Sequence, residues 1–384
     1  MKGLVVHAIL ASIGLITAYT VWAGNDVEKD VGDVTILECS KDSLQEVLYE
    51  NPTKRVSLKF NSKDGKRSAW VSESNTPKKG KKTSTTFVGG SAVDDYVAKV
   101  SPLRALRRLG SVDKETLKEI KLDKPDTFIT FKCGSRKQKF SVGAAAFGSG
   151  NRYLRAGNKG DAYLVHADLV RDLQSAEFRL MQRELYRFSG KDIHTLAVKG
   201  MNRSKELLHR NRLDPAKAEW VDKAAPDRRN ELYGNWLDRV ERLRAQKYLG
   251  KGKAPGSDLE MNSSAAANQV LELEYRAENG DVLGTTTLTR VDTDKEPEYY
   301  AKSNATQVWV KVPASLARQI EEDVPVVLGL QAPKKENPAD NGAAPAAPGA
   351  VTGGNGAAAP APPVTKVPAA KSNTPPGAAA PAAQ

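Results

Sequence analysis

Apolar and polar positions alternate along much of the chain, and the period changes in a few places. Val34–Glu38 and Arg55–Phe60 alternate as half-buried strands do, and Ser68-Ala69-Trp70-Val71 follows in the same style. From Ser91 the spacing lengthens. Val93, Val97, Val100, Leu103, Leu106 and Leu109 make one stripe, which predicts a helix capped by Ser91 and ending at Gly110, with Pro102 as a kink or a second start. Strands are predicted at Thr127–Lys132, Gln138–Val142, Arg152–Ala156 and Ala162–Val165, then a helix from about Asp168 to Ala176.

From about Asp192 the same succession returns. Lys217-Ala218-Glu219-Trp220-Val221 answers Ser68–Val71, and a helix is predicted over Asp227–Leu249 with Leu232, Trp236, Val240 and Leu243 on its apolar side. Strands follow at Gln269–Tyr275, Val282–Thr289, Glu298–Ala301 and Gln307–Val312, with a turn at Glu278-Asn279-Gly280-Asp281. Val312-Pro313-Ala314-Ser315-Leu316 then opens a last helix as Val165-His166-Ala167-Asp168-Leu169 does earlier, with Asp168 and Ser315 as the expected N-caps. The shared order predicts a duplication: two related α+β modules of mostly antiparallel strands with a few packed helices, over 31–176 and 177–330.

Both ends differ from this body. Gly3 to Gly24 contains no Lys, Arg, Asp or Glu, and at helical rise it spans about 33 Å, enough for a bilayer core of roughly 30 Å. Residues 1–24 are therefore either a membrane anchor, with Trp22 at the interface, or a cleaved signal ending near Val21-Trp22-Ala23. Lys2 on one side and the acidic flank at Asp26, Glu28 and Asp30 on the other place the body outside the cytoplasm, as a single-pass inner-membrane protein with its bulk in the periplasm. At the other end, residues 331–384 hold 11 of the 21 prolines and no aromatic residue, which predicts a disordered Pro/Ala/Gly-rich tail.

Charge and cysteine sharpen the picture. Of the net +12, most sits between Phe178 and Lys253, where 19 Lys and Arg face 10 Asp and Glu. Arg228, Arg229, Arg239, Arg242, Arg244 and Lys247 fall mostly off the apolar stripe of the predicted helix. They are either a solvated surface or a binding face for an anionic polymer. Nucleic acid is not expected, because no aromatic-basic recognition motif accompanies the charge. Cys39 and Cys133 both lie in strand-like text; in an exported chain they form either one disulfide or two separate buried thiols. They lack the spacing of a metal site, and no metal or cofactor is expected.

Catalytic motifs point nowhere. GxSxG, HExxH and the Walker sequence are missing, and Ser111-Val112-Asp113-Lys114 matches SxxK without the partners that chemistry needs. His166 beside Asp168 reads as a helix start, and the expectation is a protein that is not an enzyme. The N-terminal run, the first strand pattern, Leu122-Asp123-Lys124-Pro125 before a strand, and Tyr153 followed by Ala162-Tyr163-Leu164-Val165 resemble the bacterial family called domain of unknown function 4340. Lys121 stands where members commonly have glycine. The resemblance implies an envelope protein associated with ABC transporters of the gliding-motility auxiliary type, with no catalytic residues to carry over.

Overall fold

Alternating side chains satisfy a sheet that packs on one face, and they dominate the architecture. The computed structural model describes residues 31–332, apart from 64–65, 78, 158–159 and 260–266. The predicted anchor or signal at 1–24 and nearly all of the predicted tail lie outside the described residues.

The first sheet has ten strands: β1 Val31–Leu37, β2 Leu44–Glu50, β3 Lys54–Lys63, β4 Lys66–Asn75, β5 Thr83–Val88, β6 Leu103–Gly110, β7 Phe128–Cys133, β8 Arg136–Ala145, β9 Arg152–Ala156 and β10 Ala162–Val165. Their spatial order is β1-β6-β10-β9-β8-β7-β2-β3-β4-β5, and their pairings are antiparallel. The second sheet has β11 Thr195–Gly200, β12 Arg203–Arg210, β13 Glu219–Asp222, β14 Lys247–Tyr248, β15 Ala267–Arg276, β16 Val282–Val291, β17 Glu298–Ser303 and β18 Val310–Val312. Its order is β13-β12-β11-β15-β16-β17-β18-β14. Read from β4 to β6, the first sheet runs β4-β3-β2-β7-β8-β9-β10-β6, which is the same path. Strands β1 and β5 are additions at the two edges.

Helices are few: α1 Ser91–Val100, α2 Lys114–Glu119, α3 Asp168–Gln174, α4 Ala176–Leu180, α5 Glu231–Glu241 and α6 Ala314–Val327. In each half one helix lies in the chain between the strand that begins the shared path, β4 or β13, and the strand that closes it, α1 before β6 and α5 before β14. Trp236 of α5 is fully buried, and its indole N–H donates to the Ile320 carbonyl of α6 at 3.1 Å. An N–H inside an apolar core is costly without such a partner.

One core runs through both sheets. The segment 180–184 joins them. Gly90 N–H donates to the Leu180 carbonyl and Gln182 N–H to the Val88 carbonyl, each at 2.8 Å, on the β5 side. On the other side Ala245 N–H donates to the Arg183 carbonyl at 2.8 Å, and Glu184 bridges Arg244 just before β14. The Tyr248 hydroxyl donates to the Gln182 carbonyl at 2.8 Å, and Phe87 meets Tyr248 at 6.2 Å between ring centres. Glycine is required in this seam: a Cβ on Gly89 would stand 2.6 Å from a Val93 methyl. The halves are thus fastened by backbone hydrogen bonds.

Several expected helices are shorter. The stripe from Val93 to Leu109 divides at Pro102: α1 stops at Val100, and Leu103–Gly110 is strand β6. A residue before proline is pushed out of the helical region, and Leu103 and Ala105 bury alternate positions as a strand requires. Likewise the predicted helix 227–249 contracts to α5, because Ala245 and Tyr248 turn into the seam. Ser91, Asp168 and Ser315 are not N-caps; Gly90, Ala167 and Pro313 hold those positions without a side-chain cap. Strands β2, β5, β11 and β12 were not expected.

Candidate functional site

The six basic residues of the second half do not share one face. Arg229 pairs with Glu219 of β13 at 3.4 Å, Arg239 with Asp323 of α6, Arg244 with Glu184 of the joining segment at 3.8 Å, and Lys247 with Asp258 at 2.9 Å. Arg242 turns back onto the Asp238 carbonyl at 3.2 Å, and Arg228 is exposed before α5. Four of the six are thereby neutralised by carboxylates from four places in the fold. Cys39 and Cys133 form a disulfide with 5.8 Å between Cα atoms, tying the segment after β1 to the end of β7.

The residues that carry the family resemblance do come together. Leu122, Leu117 and Ala162 form a small core of their own, with Tyr153, Leu109, Val112 and Ile120 against it. It fills the corner between β9, β10 and the segment that precedes β7. Asp113 caps α2 by accepting from the backbone N–H groups of Glu115 and Thr116 at 2.9 and 2.8 Å. The segment then leaves the helix through Lys121, whose φ is 57°. That is the left-handed region in which glycine is the comfortable residue. Beyond it the chain lies close on β8. Ala144 N–H donates to the Ile120 carbonyl at 2.7 Å, and a Cβ on Gly143 would stand 2.4 Å from that oxygen.

The second sheet repeats this corner with other chemistry. Leu249, Val291 and Tyr300 form the corresponding small core, joined by Leu259 and Trp309. The Tyr300 hydroxyl donates to Asp258 at 2.8 Å and Glu298 at 2.9 Å, while Lys311 pairs with Glu298 at 2.6 Å. Burial, with Asp258 and Glu298 beside it, pushes the phenol well above its ordinary value. Burial also works against the charge of Asp258, yet hydrogen bonds from Lys247 and Tyr300 hold its carboxyl below the usual range. This corner is closed on itself.

A third feature was missed in the sequence because its parts are far apart in it. His209 stacks on Trp220 with ring centres 4.3 Å apart and an 8° interplanar angle, beside a cleft of about 690 Å³ lined by Arg212, Arg229, Asp238 and Glu241 among others. Its Nδ1 is 3.2 Å from the Ile193 carbonyl. Burial, with the charges of Arg212 and His194 nearby, lowers its pKa despite the carbonyls of Ile193 and Gly190. Among the described residues no group of three or more His, Cys, Asp or Glu is placed to hold a metal ion, and no helix is long and apolar enough to cross a membrane.

Residues 88–263 match the family model described as Domain of unknown function (DUF4340). Over this segment the chain is similar to a DUF4340 domain. The matched DUF4340 segment runs from the end of β5 through the Leu122 corner, the joining segment 180–184 and α5. It therefore straddles the two sheets and leaves β1–β4 and β15–β18 outside. No curated protein and no solved structure matches the chain.

Proposed function

We propose that the chain is a non-enzymatic envelope protein, held in the inner membrane by residues 1–24, whose body is an accessory subunit of an ABC transporter of the gliding-motility auxiliary type. The observation that carries this reading is the placement of β1. Among the described residues this edge strand pairs only with β6, and it begins seven residues after the charge-free run ends at Gly24. An edge strand offers one unpaired row of backbone groups, the usual means by which a sheet adds a strand from a partner. Set beside the membrane, it is well placed to meet a membrane-embedded subunit.

Three further points support the reading. The Cys39–Cys133 bridge suits an oxidising compartment. The matching strand paths favour a duplication of modules 31–176 and 177–330, which backbone hydrogen bonds through 180–184 fasten together. A Pro/Ala tail over 331–384 would reach about 3 Å per residue away from the membrane. The rival, binding of anionic polymer through Arg228, Arg229, Arg239, Arg242, Arg244 and Lys247, has less behind it, since most of these charges have carboxylate partners.

Crosslinked purification from membranes tests the proposal. Recovery of an ABC permease is expected, and it should persist at high salt because a strand-addition contact is not ionic. Recovery of no transporter subunit, with salt-sensitive polymer binding abolished by R239A/R242A/R244A, would reverse the ranking.

A further inference from the structure

The corner around Leu122 leaves a cleft of about 500 Å³ between the segment that follows α2, the irregular end of β8 and the start of β9. Four cations line it: Lys118 on α2, Lys121 and Lys124 on the segment, and Arg152 on β9. Among the described residues none of the four has a carboxylate within ion-pair distance or a hydrogen-bond acceptor for its side chain. Asp123 and Asp126 share the cleft, so two carboxylates stand against four cations; Asp126 is engaged by the Thr127 hydroxyl at 2.8 Å. Gly143, Ala144 and Ala145 at the end of β8 complete the lining; Gly143 is buried under the Ile120 carbonyl, and Ala145 is exposed.

The second sheet supplies the contrast within the same molecule. At its equivalent corner Lys247 and Lys311 are each neutralised at 2.9 Å or less by Asp258 and Glu298, and Tyr300 closes the network. A corner that needs only to be a stable end for the sheet can pair its charges internally. In the first sheet the cations converge from three elements and remain unpaired, at the cost of mutual repulsion.

We infer that the first corner is a binding site for a small multiply charged anion bearing phosphate or carboxylate groups, held by Lys118, Lys121, Lys124 and Arg152. Charge-assisted hydrogen bonds from these side chains would replace the missing acidic partners, and Arg152 can grip an oxyanion with two parallel N–H groups. The inference is independent of the transporter reading, and it concerns a site separate from the 178–253 basic segment.

Calorimetric titration of the full-length protein in detergent, with inorganic pyrophosphate and with citrate, tests it. One-site binding of at least one probe is expected, and which binds tells phosphate from carboxylate. Affinity should fall as salt is raised, and K118Q, K124Q and R152Q should each weaken binding about tenfold. R242Q should leave it unchanged. All three pocket positions are at the cleft surface, and unchanged melting would certify each variant as folded. Failure of both probes to bind would overturn the inference. So would binding that survives in the folded pocket variants, or that falls equally in R242Q.

Discussion

Trp70 and Trp220 hold the same station in the two sheets. Trp70 sits on β4 opposite Lys59 of β3, and Trp220 sits on β13 opposite His209 of β12. Each is followed by a valine with no exposed surface, Val71 and Val221. What covers them differs: the Lys251 ammonium lies 4.2 Å from the Trp70 ring centre, and His209 stacks flat on Trp220. The position is the same while the chemistry differs, which is also the pattern at the two small corner cores.

The His209–Trp220 stack predicts a pH effect on stability. Burial lowers the folded-state pKa below the ordinary 6.5, so folding favours the neutral ring. The corresponding stability is fully present above about pH 6.5, the unfolded value, and is lost as pH falls through the lower folded value. His209→Phe keeps a flat ring and should flatten the melting-temperature profile below that point. A His209 proton resonance titrating above 6.5 in the folded protein would contradict the assignment.

The disulfide closes a sequence separation of 94 residues and fastens the segment leading from β1 to the middle of the first sheet. Removing a bridge over a loop of that size costs roughly 3–5 kcal/mol. Urea unfolding of the Cys39→Ala/Cys133→Ala double variant should show that loss. Cys39 and Cys133 are both buried, so each alanine also leaves a small void, and the measured figure should fall towards the upper end. A change under about 1 kcal/mol would mean the bridge does not constrain the chain.

Lys121 offers a stabilising substitution. A non-glycine residue in the left-handed region costs roughly 1–2 kcal/mol, whereas glycine adds an entropic cost of about 0.5–1 kcal/mol on folding. The first outweighs the second, so Lys121→Gly should raise stability by about 0.5–1 kcal/mol, and Lys121→Val should lower it. Chemical denaturation decides the matter, and equal stability of the two variants would count against the backbone explanation.

Much of the second half of each module was legible in the sequence. Strands β9 and β10 fall on their expected boundaries, and the Asn279-Gly280 turn closes β15 onto β16 with Gly280 at φ 85°. These elements are set by local alternation and turn chemistry. Where the reading went astray, tertiary contacts overrode local pattern. Leu103, Leu106 and Leu109 sit at helical spacing, but β6 is recruited between β1 and β10 by pairing with strands that are distant in sequence. Strand β5 shows no alternation, because four polar residues, Thr83 to Thr86, precede the buried Phe87 and Val88. The basic segment likewise looked like one face because its partners, Glu184, Asp258 and Asp323, come from outside the helix. The anion cleft was invisible for the same reason: Arg152 and the Lys118–Lys124 segment meet only through the fold.

The proposed docking at β1 is tested most directly by placing a photo-crosslinking amino acid at Thr35, an exposed position on that edge strand, in cells. Irradiation should yield one adduct, identified by mass spectrometry as an ABC permease subunit. The same probe at Thr86, on the opposite margin of the first sheet, should not give it. No adduct at Thr35, or the same adducts from both positions, would contradict docking through β1.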